Sequence, residues 1–123
     1  MRFILALAAF YGATGVALGA FAAHGLKKVL SQEMLAVMET GVRYQLLHAL
    51  ALIGLVVLGD KLAGPWLNAA AWLMAVGILF FSGSLYLLAT AGWKFLGPIT
   101  PLGGLCLILG WLALMVAALK ETL

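Results

Sequence analysis

A small set of side chains in this sequence has the types and spacing to do chemistry: His24, Glu39, Arg43, Tyr44, Gln45, His48, Ser82, Ser84, Tyr86 and Thr100. Two imidazoles, a carboxylate and a guanidinium can move protons or hold an anion. The hydroxyls and the amide can bind a polar group. Glu39 and Arg43 are four residues apart, so on a helix they share one side and can pair there. Such a pair is either an interfacial anchor, with Arg43 snorkelling to headgroups, or part of a site. Gln45 and His48 are three residues apart and point elsewhere, with Tyr44 beside His48. They serve either interhelical hydrogen bonds to Ser82, Ser84 or Tyr86, or contacts to a bound molecule. His24 ends the first apolar stretch, where a cation also suits the helix dipole.

Several chemistries are disfavoured at once. The single cysteine, Cys106, excludes an internal disulfide and a cysteine-based zinc site. No phosphate-binding glycine loop, GxSxG elbow or HExxH motif is present. His24, His48 and Glu39 lack a diagnostic metal-ligand spacing. Two histidines on two helices could be axial haem ligands, but His48 lies deeper than His24 and a packed bundle leaves no room for a macrocycle. No cofactor is assigned. The basic residues are scattered rather than gathered into a patch, which speaks against nucleic acid.

The elements that carry these residues follow from composition. The chain has 123 residues, 66% hydrophobic and only 9% charged, and its mean hydropathy is +1.18. A soluble fold of this size has nowhere to hide so much apolar surface; the lipid bilayer does. Stretches of about 20 apolar residues span it as helices. The sequence predicts four in one domain over 1–123: residues 3–23, 41–59, 65–91 and 101–119. Pro65 sits at a favoured first-turn position, and Trp66 and Trp93 mark the two ends of the third helix. Residues 26–40 read as a short amphipathic interfacial helix, with Ser31 as N-cap, running into the second span; a plain extension of that span fits equally. Arg2, the first apolar stretch and Ala20-Phe21-Ala22 imitate a secretory signal, but the stretch is too long for a signal core.

Helices in lipid meet through small residues. Ala8, Gly12, Gly15, Gly19 and Ala23 form one stripe; Ala71, Ala75, Ser82 and Ala89 a second; Gly103, Cys106, Gly110, Ala113 and Ala117 a third. These imply a tight bundle with little central volume, although a stripe could instead face another subunit of a homo-oligomer. Short loops make successive helices antiparallel, so all of the candidate residues fall in the half that holds the first and third loops. That face has Lys27, Lys28 and Lys94, with Arg43 nearby, against Arg2, Lys61 and Lys120 opposite. The adjacent Lys27-Lys28 tips the motif-rich face toward the cytoplasm, while the near balance leaves room for insertion both ways. Ala22, Gly25 and Lys27 match Ala89, Gly92 and Lys94, a weak hint of an internal repeat.

Four stretches carry a family resemblance: residues 19–27 (GAFAAHGLK), 40–51 (TGVRYQLLHALA), 81–88 (FSGSLYLL) and 98–104 (PITPLGG). In this order they resemble the hallmarks of domain of unknown function 423, the YgdD-like and YwdK-like bacterial membrane proteins. Ala22 stands where glycine is expected, and Gly41 where alanine is. The resemblance covers nearly the whole chain. It implies a four-helix, multi-pass protein of the bacterial cytoplasmic membrane, with relatives in mitochondria, and it implies no reaction and no functional residue.

Three functions stay open on the residues alone. The first is a binding or accessory protein that holds a lipid, a small apolar ligand or a partner membrane protein at the face of His24, Glu39, Arg43, Gln45, His48 and Tyr86. The second is a small proton-coupled transporter, which needs a polar path on to the Asp60 side. The third is a membrane enzyme with His48 as base and Ser84 or Tyr86 within reach.

Overall fold

The computed structural model describes residues 1–62 and 64–120, and the helical expectation holds. Four long helices run α1 (Arg2–Ala23), α2 (Gln32–Leu58), α3 (Pro65–Ala91) and α4 (Ile99–Lys120). All four are long and apolar enough to cross a membrane. At about 1.5 Å per residue, the longer helices exceed a hydrocarbon layer of about 30 Å. The surplus of α2 is its first turns, where Glu33 and Glu39 are exposed.

Local chemistry sets the ends. Ser31 has extended backbone (φ −62°, ψ 162°), and its hydroxyl accepts from the Met34 N–H at 3.1 Å, satisfying an otherwise orphan donor. From there α2 is one unbroken helix, so the amphipathic segment is its first turns rather than a separate element. A short 3-10 turn, Leu26–Lys28, precedes it. Gly64 caps α3 with Pro65 in the first turn, and α3 stops at Gly92, whose φ of 69° suits glycine. A second 3-10 turn, Lys94–Leu96, leads into α4. The repeat hint survives only in part. Ala22 and Ala89 are both buried beside Met38, but Gly25 is right-handed (φ −68°) where Gly92 is left-handed.

α2 and α3 form the central pair, α1 leans on α2 and lightly on α3, and α4 leans on α3. The core is almost wholly apolar, with Leu52, Ala70, Ala71, Met74 and Ala117 among its fully buried members. Ile4, Ala8 and Tyr11 are buried in it as well, which makes α1 an integral part of the bundle. The outside is as apolar as the inside: Phe3, Phe10, Val16, Leu50, Leu79, Leu102 and Ile108 all face outward. Lipid is the solvent that such a surface requires.

The expected α3 stripe turns to α1 and α2, where the Ala75 carbonyl accepts from Tyr11 and Ser82 donates to the Gly41 carbonyl, whereas the α4 stripe meets α3 on its Ala70, Met74, Gly77 and Phe81 face. A Cβ on Gly103 would collide with the Phe81 backbone nitrogen and lie 2.7 Å from the Phe80 carbonyl carbon; one on Gly110 would lie 3.3 Å from the Ala70 carbonyl oxygen. These two helices therefore touch backbone to backbone. The α1 stripe is less uniform. Ala8 and Gly15 are buried, but the buried alanine at the end is Ala22, and Ala23 is exposed. Nothing lies within 4 Å of a Cβ on Gly12.

That contrast predicts two opposite results in unfolding scans in detergent. Gly103→Ala forces backbone apart and lowers stability by about 1–3 kcal/mol, as overpacking does. Gly12→Ala meets open space and is neutral or stabilising by up to ~1 kcal/mol, the usual helix-propensity difference. Equal effects at the two positions would refute the packing account.

Candidate functional site

The structure divides the sequence candidates among separate places. Gln45 is buried at the seam of α1, α2 and α3. Its amide NH2 donates to the Tyr11 carbonyl and to Thr14 Oγ1, each at 2.8 Å. Its Oε1 accepts from the Tyr86 hydroxyl at 2.7 Å. The Thr14 hydroxyl in turn donates to the Phe10 carbonyl at 2.9 Å. Beside this network the Ser82 hydroxyl donates to the Gly41 carbonyl at 2.7 Å, and the Tyr11 hydroxyl donates to the Ala75 carbonyl at 2.8 Å. Gly41 has no side chain because the Tyr86 ring lies against it; a Cβ there would sit 2.7 Å from Tyr86 Cε1. Both amide donors are used and the chain of bonds ends on backbone carbonyls, so this cluster is a clamp.

His48 does not join it. Three residues turn a helix by about 300°, which leaves Gln45 and His48 about 60° apart. Because α1 and α4 flank the central pair on opposite sides, that difference sends them to different seams. His48 is buried. Its Nδ1 lies 2.8 Å from the Tyr44 carbonyl, an acceptor, so Nδ1 carries the proton. The indole N–H of Trp111, on α4, donates to Nε2 at 3.0 Å. An indole nitrogen can only donate, so Nε2 is bare and this arrangement is the neutral ring. Tyr44 stacks on His48 at 6.1 Å, and Trp111 meets it edge-on at 5.8 Å.

This pair floors a groove between α2 and α4. Tyr44, Leu47, His48, Phe81, Gly104, Leu107, Ile108 and Trp111 line it, and its volume is about 450 Å³. That is within the range of small-molecule sites, which are mostly apolar with a few placed polar groups. A narrower groove of about 220 Å³ between α1 and α3 exposes parts of Tyr11, Thr14, Gln45 and Tyr86, but their polar atoms are already spent on one another.

The remaining candidates lie elsewhere. Ser84 and Thr100 share a hydroxyl contact of 2.5 Å where α3 meets the start of α4, and Ser84 also donates to the Phe81 carbonyl. His24 is exposed, its Nδ1 donating to the Ala20 carbonyl at 2.8 Å, a cap on the end of α1. Glu39 and Arg43 are both exposed on α2, and among the described residues no ion pair joins them. Likewise, no three His, Cys, Asp or Glu side chains among the described residues gather into a metal-binding group. Sequence reading missed Tyr11, Thr14 and Trp111. Trp111 carried a usable signal: a tryptophan in the middle of a span, away from the interfacial belt.

The clamp makes a quantitative prediction. Gln45→Leu orphans the Tyr86 hydroxyl and removes three bonds, so unfolding in detergent shifts by ~1–2 kcal/mol, at about 0.6 kcal/mol per interhelical bond. A double-mutant cycle with Tyr86→Phe returns a coupling of about 0.6 kcal/mol; a coupling of zero would break the assignment.

Comparison with known proteins agrees with the resemblance drawn from the motifs. The family described as protein of unknown function (DUF423) matches residues 18–104. The UPF0382 membrane protein YwdK of Bacillus subtilis is 45% identical over 121 residues, 98% of each chain. A UPF0382 membrane protein of Staphylococcus haemolyticus is 42% identical over 120 residues, again 98% of each. The UPF0382 inner membrane protein YgdD of Escherichia coli K12 is 38% identical over 119 residues, 97% of this chain and 91% of that one. No solved structure matches. With four apolar spans, buried helix seams and relatives named as membrane and inner membrane proteins along nearly its full length, the chain is a multi-pass protein of the bacterial cytoplasmic membrane that belongs to the DUF423 family of UPF0382 membrane proteins.

Proposed function

We propose that the protein binds a membrane-dissolved, largely apolar molecule in the groove between α2 and α4, with His48 and Trp111 reading one polar group on it. The observation that carries this reading is a groove of about 450 Å³ whose apolar walls converge on a buried neutral histidine. The His48 nitrogen that faces α4 is an acceptor held by a single indole N–H. Trp111 is 44% exposed, so its ring can turn outward, offering its N–H to a ligand carbonyl or yielding Nε2 to a ligand hydroxyl or amide. The groove opens sideways, and a molecule reaches it through the bilayer.

Two rival functions are weaker on the same geometry. A proton path would have to cross the half of the bundle that leads to Asp60. Among the described residues, the buried ones there include Ile4, Leu52, Leu55, Leu62, Leu67 and Ala117, and these apolar side chains carry no proton. Enzymatic use of His48 as a base needs a proton-bearing group within hydrogen-bond reach. Ser84 is committed to Thr100 and Phe81, and Tyr86 to Gln45, and neither bonds His48.

Native mass spectrometry of protein released gently from its own membrane tests the proposal. The wild type retains an amphipathic molecule. Gly104→Phe, which fills the groove from α4, and His48→Ala both lose it while the helical content stays unchanged. A wild type that emerges bare, or a Gly104→Phe variant that keeps its cargo, would overturn the reading.

A further inference from the structure

Arg43 precedes Tyr44 by one residue and Leu47 by one helical turn, and both of those line the groove. Its side chain is exposed, and no ion pair within the described residues neutralises it. Leu58 ends α2 at the far membrane face. Fifteen residues at 1.5 Å place Arg43 about 22 Å across a hydrocarbon layer of about 30 Å. A guanidinium at that depth snorkels toward the near headgroups and seeks an anion there, and its planar fork suits a phosphate. Glu39 lies one turn further out on the same flank, about 6 Å nearer to water, and is likewise exposed. Read from the groove outward, the order is apolar walls, cation, anion.

Resting on the reading of the groove as a ligand site, we propose that its occupant is a phospholipid whose headgroup carries a phosphate and, beyond it, a primary ammonium. The acyl chain lies along Leu47, Phe81, Leu107 and Ile108. The phosphate meets Arg43 and the ammonium meets Glu39. This order of charges selects among headgroups. An anionic lipid without an ammonium leaves Glu39 facing like charge. A choline headgroup brings a cation with no N–H to donate.

Brominated acyl chains quench a nearby tryptophan, so Trp111 can report occupancy. A variant with Trp66, Trp72 and Trp93 changed to Phe keeps Trp111 as the lone indole. It is placed in phosphatidylcholine vesicles that carry a minority of brominated phosphatidylethanolamine, phosphatidylglycerol or phosphatidylcholine. The ethanolamine lipid quenches at about threefold lower mole fraction than the other two, the size that one solvent-facing ion pair supports. Glu39→Gln removes that preference, and Arg43→Gln weakens quenching by all three. Native mass spectrometry of the unmodified protein and Glu39→Gln, equilibrated with equal amounts of the three lipids, gives the same order without the tryptophan changes. Equal quenching by the three lipids, or a preference that survives Glu39→Gln, overturns the headgroup assignment. Quenching that Gly104→Phe leaves unchanged for every lipid overturns the groove itself.

Discussion

A primary amide in hydrocarbon must find all its partners inside the protein, and the arrangement of three helices here depends on how Gln45 does so. Its two donors go to α1 and its acceptor to α3. Each bond is modest by itself, because the unfolded helices in a membrane also find partners. Together they have a geometric consequence. The amide fixes the rotation of α2 against both neighbours, and the Ser82–Gly41 bond fixes its height against α3. Once α2 is held this way, His48 has no choice of direction and must face the side that α1 does not occupy.

The fourth helix is held by different means. It meets α3 through Gly103 and Gly110, where the backbones approach too closely for side chains. Dispersion between close backbones is the main attraction in lipid, where the hydrophobic effect between helices is absent. Against α2 it has mainly the Trp111–His48 bond. One tight seam and one loose seam on the same helix produce a groove without opening the core. The small-residue stripes implied little central volume, and the core is indeed closed; the free volume lies at the outer seam, which no stripe lines.

The fold was legible because the bilayer imposes it. Span lengths, the Ser31 cap, Pro65 and the α3 and α4 stripes each follow from a rule that acts on a few neighbouring residues. The division of the polar residues was not legible, because it depends on which helix stands on which side of the α2–α3 pair. Tyr11 and Thr14 were hidden among glycines on a helix that read as an apolar stripe. Gln45 and His48 looked like one cluster because they share a depth, and depth is easier to read from sequence than azimuth. The four-residue spacing of Glu39 and Arg43 permits a pair but does not require one, and the structure leaves both side chains exposed.

Neutral His48 within the bilayer needs a reason, since a leucine would pack at that seam without a polar cost. Structural use alone is a weak reason: the histidine bonds its own helix at Tyr44 and one exposed indole, so it ties α4 down far less firmly than the glycine contacts do. Gln45, by contrast, is spent entirely on locking helices. Two polar residues three positions apart on one helix thus do different work. The one whose partners are backbone or half-buried side chains set between helices holds the bundle. The one whose partner is exposed and able to turn keeps an acceptor that something dissolved in the membrane can reach.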